Sequence, residues 1–179
     1  MHQHLEKILF SEQQIQKKVC ELGACISSDY QKKNLVVIGV LKGAVVFLAD
    51  LIREIRVPLS LDFIVTSSYG MSTQASGVVR ILKDLDEDIT GKDVLIVEDI
   101  IDTGLTLSYL KDNLLARGPA SLKICTFLDK PARRKVVLLP DYKGYDIPDE
   151  FAVGYGLDYG ERYRNLPYIG VLKPEYYQN

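Results

Sequence analysis

Short apolar runs separated by helical patterns constrain this chain more than any other feature. Residues 35–40 read LVVIGV and 93–97 read DVLIV, while 59–66 (LSLDFIVT) and 122–128 (LKICTFL) are further strand-like stretches. A run that is apolar at consecutive positions has no face to offer water, so a strand built from it must be covered on both sides. Between the runs, apolar residues recur at helical spacing. Ile15, Val19, Leu22 and Ile26 mark one face, Ala44, Phe47, Leu48, Leu51, Ile52 and Ile55 a second, and Leu107, Leu110 and Leu114 a third. Ser11-Glu12-Gln13-Gln14 has the spacing of a capping box at the first helix start. Strands alternating with helices predict an α/β fold with a central parallel sheet flanked by helices. From about residue 130 the strands shorten and prolines intersperse, which predicts a smaller substructure appended to that core.

With 179 residues the chain suits one domain with a sizeable core. The formal net charge of -2 argues against a broad electrostatic footprint for nucleic acid. The short basic clusters Lys32-Lys33 and Arg133-Arg134-Lys135 read as solvated faces. Cys20, Cys25 and Cys125 are odd in number and form no Cys-x-x-Cys pair, which fits a reducing compartment; Cys20 and Cys125 read as small core residues. The only histidines, His2 and His4, lie in what reads as a disordered start, so carboxylates must carry acid–base or metal chemistry elsewhere. No signal-peptide pattern and no apolar run of membrane-spanning length occurs, and the expectation is a cytoplasmic protein.

Ligands of open parallel sheets bind beyond the carboxyl ends of the strands. Three stretches fall there: Leu41-Lys42-Gly43, Ser67-Ser68-Tyr69-Gly70 and Glu98 to Thr106. Backbone amides of Thr103, Gly104, Leu105 and Thr106, at the start of a helix and beside two hydroxyls, suit a phosphate. Yet Glu98, Asp99 and Asp102 crowd the same turn. The Gly-Lys-Ser/Thr of a P-loop is absent, which argues against an ordinary P-loop nucleotidase. Two readings of the acids stay open: they end a strand and cap a helix, or they accept hydrogen bonds from the hydroxyls of a ribose next to the phosphate. The small, polar stretch 67–77 reads as a mobile loop, in which Tyr69 has little reason to stand unless the loop docks.

VLIVEDIIDTGLTL (94–107) resembles the phosphoribosyl-pyrophosphate motif of type I phosphoribosyltransferases. GVLKGAVVFLADL, SSYG, FLDKPARR, IPDEFAVGYGLDY and RYRNLPYIG, in that order, resemble the hypoxanthine-guanine phosphoribosyltransferases over nearly the whole chain. The resemblance implies one type I phosphoribosyltransferase domain, with a core over about 10–130 and a hood from about 130–179 plus the N-terminal residues. It implies Mg²⁺-dependent transfer of a 5-phosphoribosyl group from its pyrophosphate to N9 of hypoxanthine or guanine. The partners implied are small-molecule substrates and, as a homodimer or homotetramer, further copies of the chain.

Residue by residue, the resemblance sets Glu98 and Asp99 at the ribose hydroxyls and, with Asp158, near the metal. Asp102 to Thr106 match the 5'-phosphate loop, and Asp102 also matches the acid that faces purine N7 for proton transfer. Lys130 matches the reader of the 6-oxo group; Phe151 and Ile100 match the residues on the two faces of the base. Ala152 falls where a backbone group meets its exocyclic position, and Asp158 matches a further purine-binding residue. Leu41, Lys42, Gly43 and Arg164 match the pyrophosphate site, where the family often has a non-proline cis peptide. Ser68 and Tyr69 match the loop that closes over the site. Ala152 departs from the valine usual in relatives. A nucleic-acid-binding regulator on the same fold is disfavoured by the negative charge, and a phosphoribosyltransferase for a pyrimidine or adenine by Lys130 and residues 151–158.

Overall fold

The computed structural model describes residues 1–68 and 79–177. The expected docking loop around Tyr69 therefore lies outside the described residues, apart from the backbone of Ser67 and Ser68.

A six-stranded sheet forms the core. Its strands are β2 (Leu35–Leu41), β3 (Leu59–Ser68), β4 (Val79–Lys83), β5 (Asp93–Ile101), β6 (Ser121–Asp129) and β7 (Tyr142–Asp146), in the order β4-β3-β2-β5-β6-β7. All neighbours are parallel except β4, which returns antiparallel to β3 at one edge. The sheet is thus mixed, and β7 carries it beyond residue 130, where the appended substructure was expected to begin.

Alternate residues of the central strands serve opposite faces. Val37, Leu95 and Val97 join the cluster under α1 (Glu12–Asp29) and α2 (Val45–Glu54), where Ile15, Val19, Leu22, Phe47 and Leu51 pack. Val36, Ile38, Val94 and Ile96 join the cluster under α3 (Leu105–Leu115), with Leu107, Leu110 and Leu114. Both faces are dry, which is why LVVIGV shows no alternation. The capping box forms: Ser11 Oγ accepts from the Gln14 amide, and Gln14 Oε1 accepts from the Ser11 amide.

The smaller, antiparallel sheet joins β1 (Leu5–Phe10), β9 (Ile169–Leu172) and β8 (Ala152–Val153), in the order β1-β9-β8. Two sequence expectations change here. The N-terminus is ordered, because β1 pairs with β9 and both histidines pack on tyrosines. His4 shares a 2.9 Å hydrogen bond with Tyr163 and stacks on Tyr176, and His2 stacks on Tyr168. Cys20, expected in the core, is exposed, while Cys125 is buried; Cys20 falls outside the buried stripe of α1. Among the described residues no helix is long and apolar enough to cross a membrane.

Candidate active site

The site is built where β5 ends. Acids disfavour strands, and Glu98 marks the end of the apolar run. The strand nevertheless continues to Ile101, because β6 pairs with it as far as Ile101 opposite Asp129. Glu98, Asp99 and Ile100 are therefore held in extended backbone, all three half-buried. The chain then turns through Asp102 and Thr103 to Gly104, whose φ of 80° places it in the left-handed region open to glycine. Gly104 caps α3, and the amides of 103–106 collect at that helix start.

Two cavities meet at this turn. One, of about 170 Å³, is lined by Glu98, Ile100, Thr103, Gly104 and Thr106 together with Asp102. The other, of about 260 Å³, has Asp99, Ile100, Lys130, Phe151, Ala152 and Asp158 in its walls, again with Asp102. Ile100 and Asp102 thus belong to both. Lys130 is only 9% exposed, so it is no solvated turn lysine; its amide donates to Ile101 O at 2.9 Å. Phe151 is steadied by Tyr177, stacked at 4.7 Å, and by Tyr159, edge-on at 5.5 Å.

The loop after β2 closes on the same point. Its Leu41–Lys42 peptide is cis, as the resemblance implied. A Cβ on Gly43 would lie 1.7 Å from Asp99 Oδ2, so only hydrogen leaves room for that carboxylate. A Cβ on Gly156 would in turn meet Gly43 O at 2.1 Å, which ties the 152–164 segment to the loop. Arg164 donates from Nη1 to Gly156 O at 2.8 Å and pairs through Nη2 with Asp158 Oδ1 at 2.8 Å. Glu161 draws in both Arg164, at 3.5 Å, and Lys42, at 3.2 Å. Arg164 Nε is buried without a partner among the described residues.

Among the described residues Glu98 and Asp99 enter no ion pair. Burial pushes the Glu98 carboxyl well above the usual range, and the adjacent Asp99 charge adds to it. Burial also raises Asp99, against the pull of Glu98 and of the Ile100 amide, which donates to it at 2.7 Å. Asp158 differs, since Oδ1 faces Arg164 and Oδ2 accepts from the Glu161 amide.

Of the expected site residues, only Tyr69 and the side chain of Ser68 lie outside this convergence, being outside the described residues. In the basic cluster at 133–135, Arg133 and Lys135 are exposed as expected, and Arg134 departs from the solvated face. Arg134, with its side chain 14% exposed, pairs with buried Asp129 and donates to Asp102 O at 2.9 Å. Lys135 N donates to Thr103 O, so this segment braces the turn at 102–104. Charge counting cannot see this, since the brace depends on β6 leading back beside β5.

This mixed, mostly parallel sheet with a hydroxyl-rich turn at one strand end and a second pocket beside it lies within residues 7–160, which match the family model of the phosphoribosyl transferase domain. The chain is 57% identical to the hypoxanthine-guanine phosphoribosyltransferase of Bacillus subtilis, over 100% of this chain and 99% of that one. The enzyme of that name from Lactococcus lactis is 54% identical, over 97% and 94%. A crystal structure of a hypoxanthine phosphoribosyltransferase from Staphylococcus aureus superposes with a TM-score of 0.97 at 53% identity, covering 100% of this chain and 97% of that one. The chain belongs to the hypoxanthine-guanine phosphoribosyltransferase family.

Proposed function

We propose that the chain is a purine-salvage transferase that moves a 5-phosphoribosyl group from phosphoribosyl pyrophosphate to N9 of hypoxanthine, and of guanine, releasing pyrophosphate. The observation that carries this reading is the shared wall: Asp102 and Ile100 border both the turn that suits a phosphate and the pocket that suits a flat base. A ligand with phosphate, diol and base in series fits that arrangement.

Breaking the ribose C1–O bond builds positive charge on the sugar, and nearby carboxylates stabilise it. Glu98 and Asp99 take the ribose hydroxyls as acceptors, and the amides of 103–106 take the 5'-phosphate. Asp102 accepts the proton of purine N7, Lys130 donates to the 6-oxo group, and Phe151 and Ile100 sandwich the ring. Lys42 and Arg164 neutralise the departing pyrophosphate. Unpaired adjacent carboxylates fit a hard cation, so Glu98 and Asp99 would hold Mg²⁺ alongside substrate oxygens; Asp158, already engaged, would do so through a retained water. Bound magnesium supplies charge neutralisation at the leaving group. The same reading makes the protein a cytoplasmic homodimer or homotetramer, which sedimentation would check. The test of function is an absorbance assay with phosphoribosyl pyrophosphate, Mg²⁺ and each of hypoxanthine, guanine, xanthine and adenine. Nucleotide is expected from the first two, and none from either would sink the reading.

A proton count follows from the raised carboxyls. Values above those of the unfolded chain stabilise the free protein below the ordinary carboxylate range, and that stability is lost as pH rises through the raised values. Ribose hydroxyls and a cation favour the ionised acids, so binding magnesium and phosphoribosyl pyrophosphate is expected to release protons. Calorimetric titrations in buffers of different ionisation enthalpy measure this; identical heats in all buffers would contradict it.

A further inference from the structure

The acid set at purine N7 has a partner of its own. Asp102 Oδ1 accepts a 3.0 Å hydrogen bond from Nε of Arg133. Arg133 Nη1 lies 3.6 Å from Asp149 Oδ2, and Asp149 Oδ1 lies 3.9 Å from Nζ of Lys130. Charge therefore alternates along Asp102, Arg133, Asp149 and Lys130. The four border a cavity of about 400 Å³ that adjoins the base pocket. Among the described residues Arg133 is the only group bonded to the Asp102 carboxylate.

We propose that Arg133 is a positioning residue for transfer to the purine. The proposal rests on the reading of this site as the purine pocket. A carboxylate turns easily about its terminal bond. With Oδ1 committed to Arg133, Oδ2 is turned to the base, and Asp149 steadies Lys130 at the other end of the same purine edge. A planar guanidinium can serve Asp102 and Asp149 at once from two donors of fixed direction, which an ammonium does less well. Arg133 and Asp102 have side chains 47% and 42% exposed, so their pairing contributes little to folding. Its effect belongs to orientation.

The test is steady-state kinetics of the full chain with hypoxanthine, phosphoribosyl pyrophosphate and Mg²⁺. Arg133→Gln is expected to lower kcat/KM for hypoxanthine about ten-fold, with KM for phosphoribosyl pyrophosphate within about two-fold and the thermal midpoint within about 2 °C. Arg133→Lys recovers part of the loss. On an Asp102→Asn background, Arg133→Gln costs far less than in the wild type, because there is no charged carboxylate left to aim. An equal cost on both backgrounds would overturn the inference, as would wild-type kinetics in Arg133→Gln or a failure of that variant to fold. A wild-type chain that makes no nucleotide would overturn this inference and the proposed function together, whereas an active wild type with an equally active Arg133→Gln removes this inference alone.

Discussion

Asp102→Asn is expected to lower kcat by about a hundred-fold or more, within the range measured for lost general acid–base groups, while KM for phosphoribosyl pyrophosphate changes about three-fold at most. The side chain is nearly isosteric, and its Oδ1 can still accept from Arg133 Nε, so local geometry is kept. What disappears, on the proposed mechanism, is the basic oxygen that takes the N7 proton as the bond at N9 forms. A hundred-fold loss corresponds to about 2.7 kcal/mol of transition-state stabilisation. The proposed contacts to the phosphate come from amides and hydroxyls further along the turn, at 103–106, and would survive the change. Steady-state constants for both substrates, with direct binding of phosphoribosyl pyrophosphate, decide the matter. Equal losses in turnover and in that binding would assign Asp102 to binding instead.

Gly43→Ala is expected to weaken phosphoribosyl pyrophosphate binding roughly ten- to hundred-fold while the protein stays folded, an overpacking cost of about 1–3 kcal/mol concentrated at the site. The reason is space. The added carbon would sit 1.7 Å from Asp99 Oδ2 and 2.6 Å from its Cγ. Asp99 is held by the Ile100 amide, and Gly43 O is backed by Gly156, so neither partner can retreat without moving the loop proposed to take pyrophosphate or the acid proposed to take the ribose. Neither Gly43 nor Asp99 belongs to the core clusters under α1, α2 and α3. Circular dichroism should therefore show a cooperative transition near that of the wild type, with the loss visible in titration calorimetry. Unchanged affinity would mean that Asp99 and the loop are not a joint binding surface.

Local signals were strong where periodicity has one physical cause. Consecutive apolar residues in LVVIGV required two covered faces, and Ser11 with Gln14 marked a helix start that the structure reproduces. They failed where a partner distant in sequence decides the outcome. Glu98 and Asp99 looked like strand terminators, yet pairing with β6 keeps them extended. Arg134 looked like a surface charge, yet buried Asp129 and the Asp102 carbonyl claim it. His2 and His4 lie in a start with no apolar period, and their order comes from partners distant in sequence: the pairing of β1 with β9 and the packing of Tyr163, Tyr168 and Tyr176.

By itself the sequence determined the alternation of the central strands with α1, α2 and α3, the run of acids and hydroxyls from Glu98 to Thr106, and the likeness of that run to a known motif. These are properties of short segments, set by side-chain period and backbone preference. Tertiary structure alone decided that Gly43 abuts Asp99, that Arg164 reaches Gly156 and Asp158, and that Asp102 stands between two cavities with Arg133 at its back. Strand order in the sheet sets those meetings, because packing of two apolar faces chooses which strand ends lie side by side, and no local propensity encodes that choice.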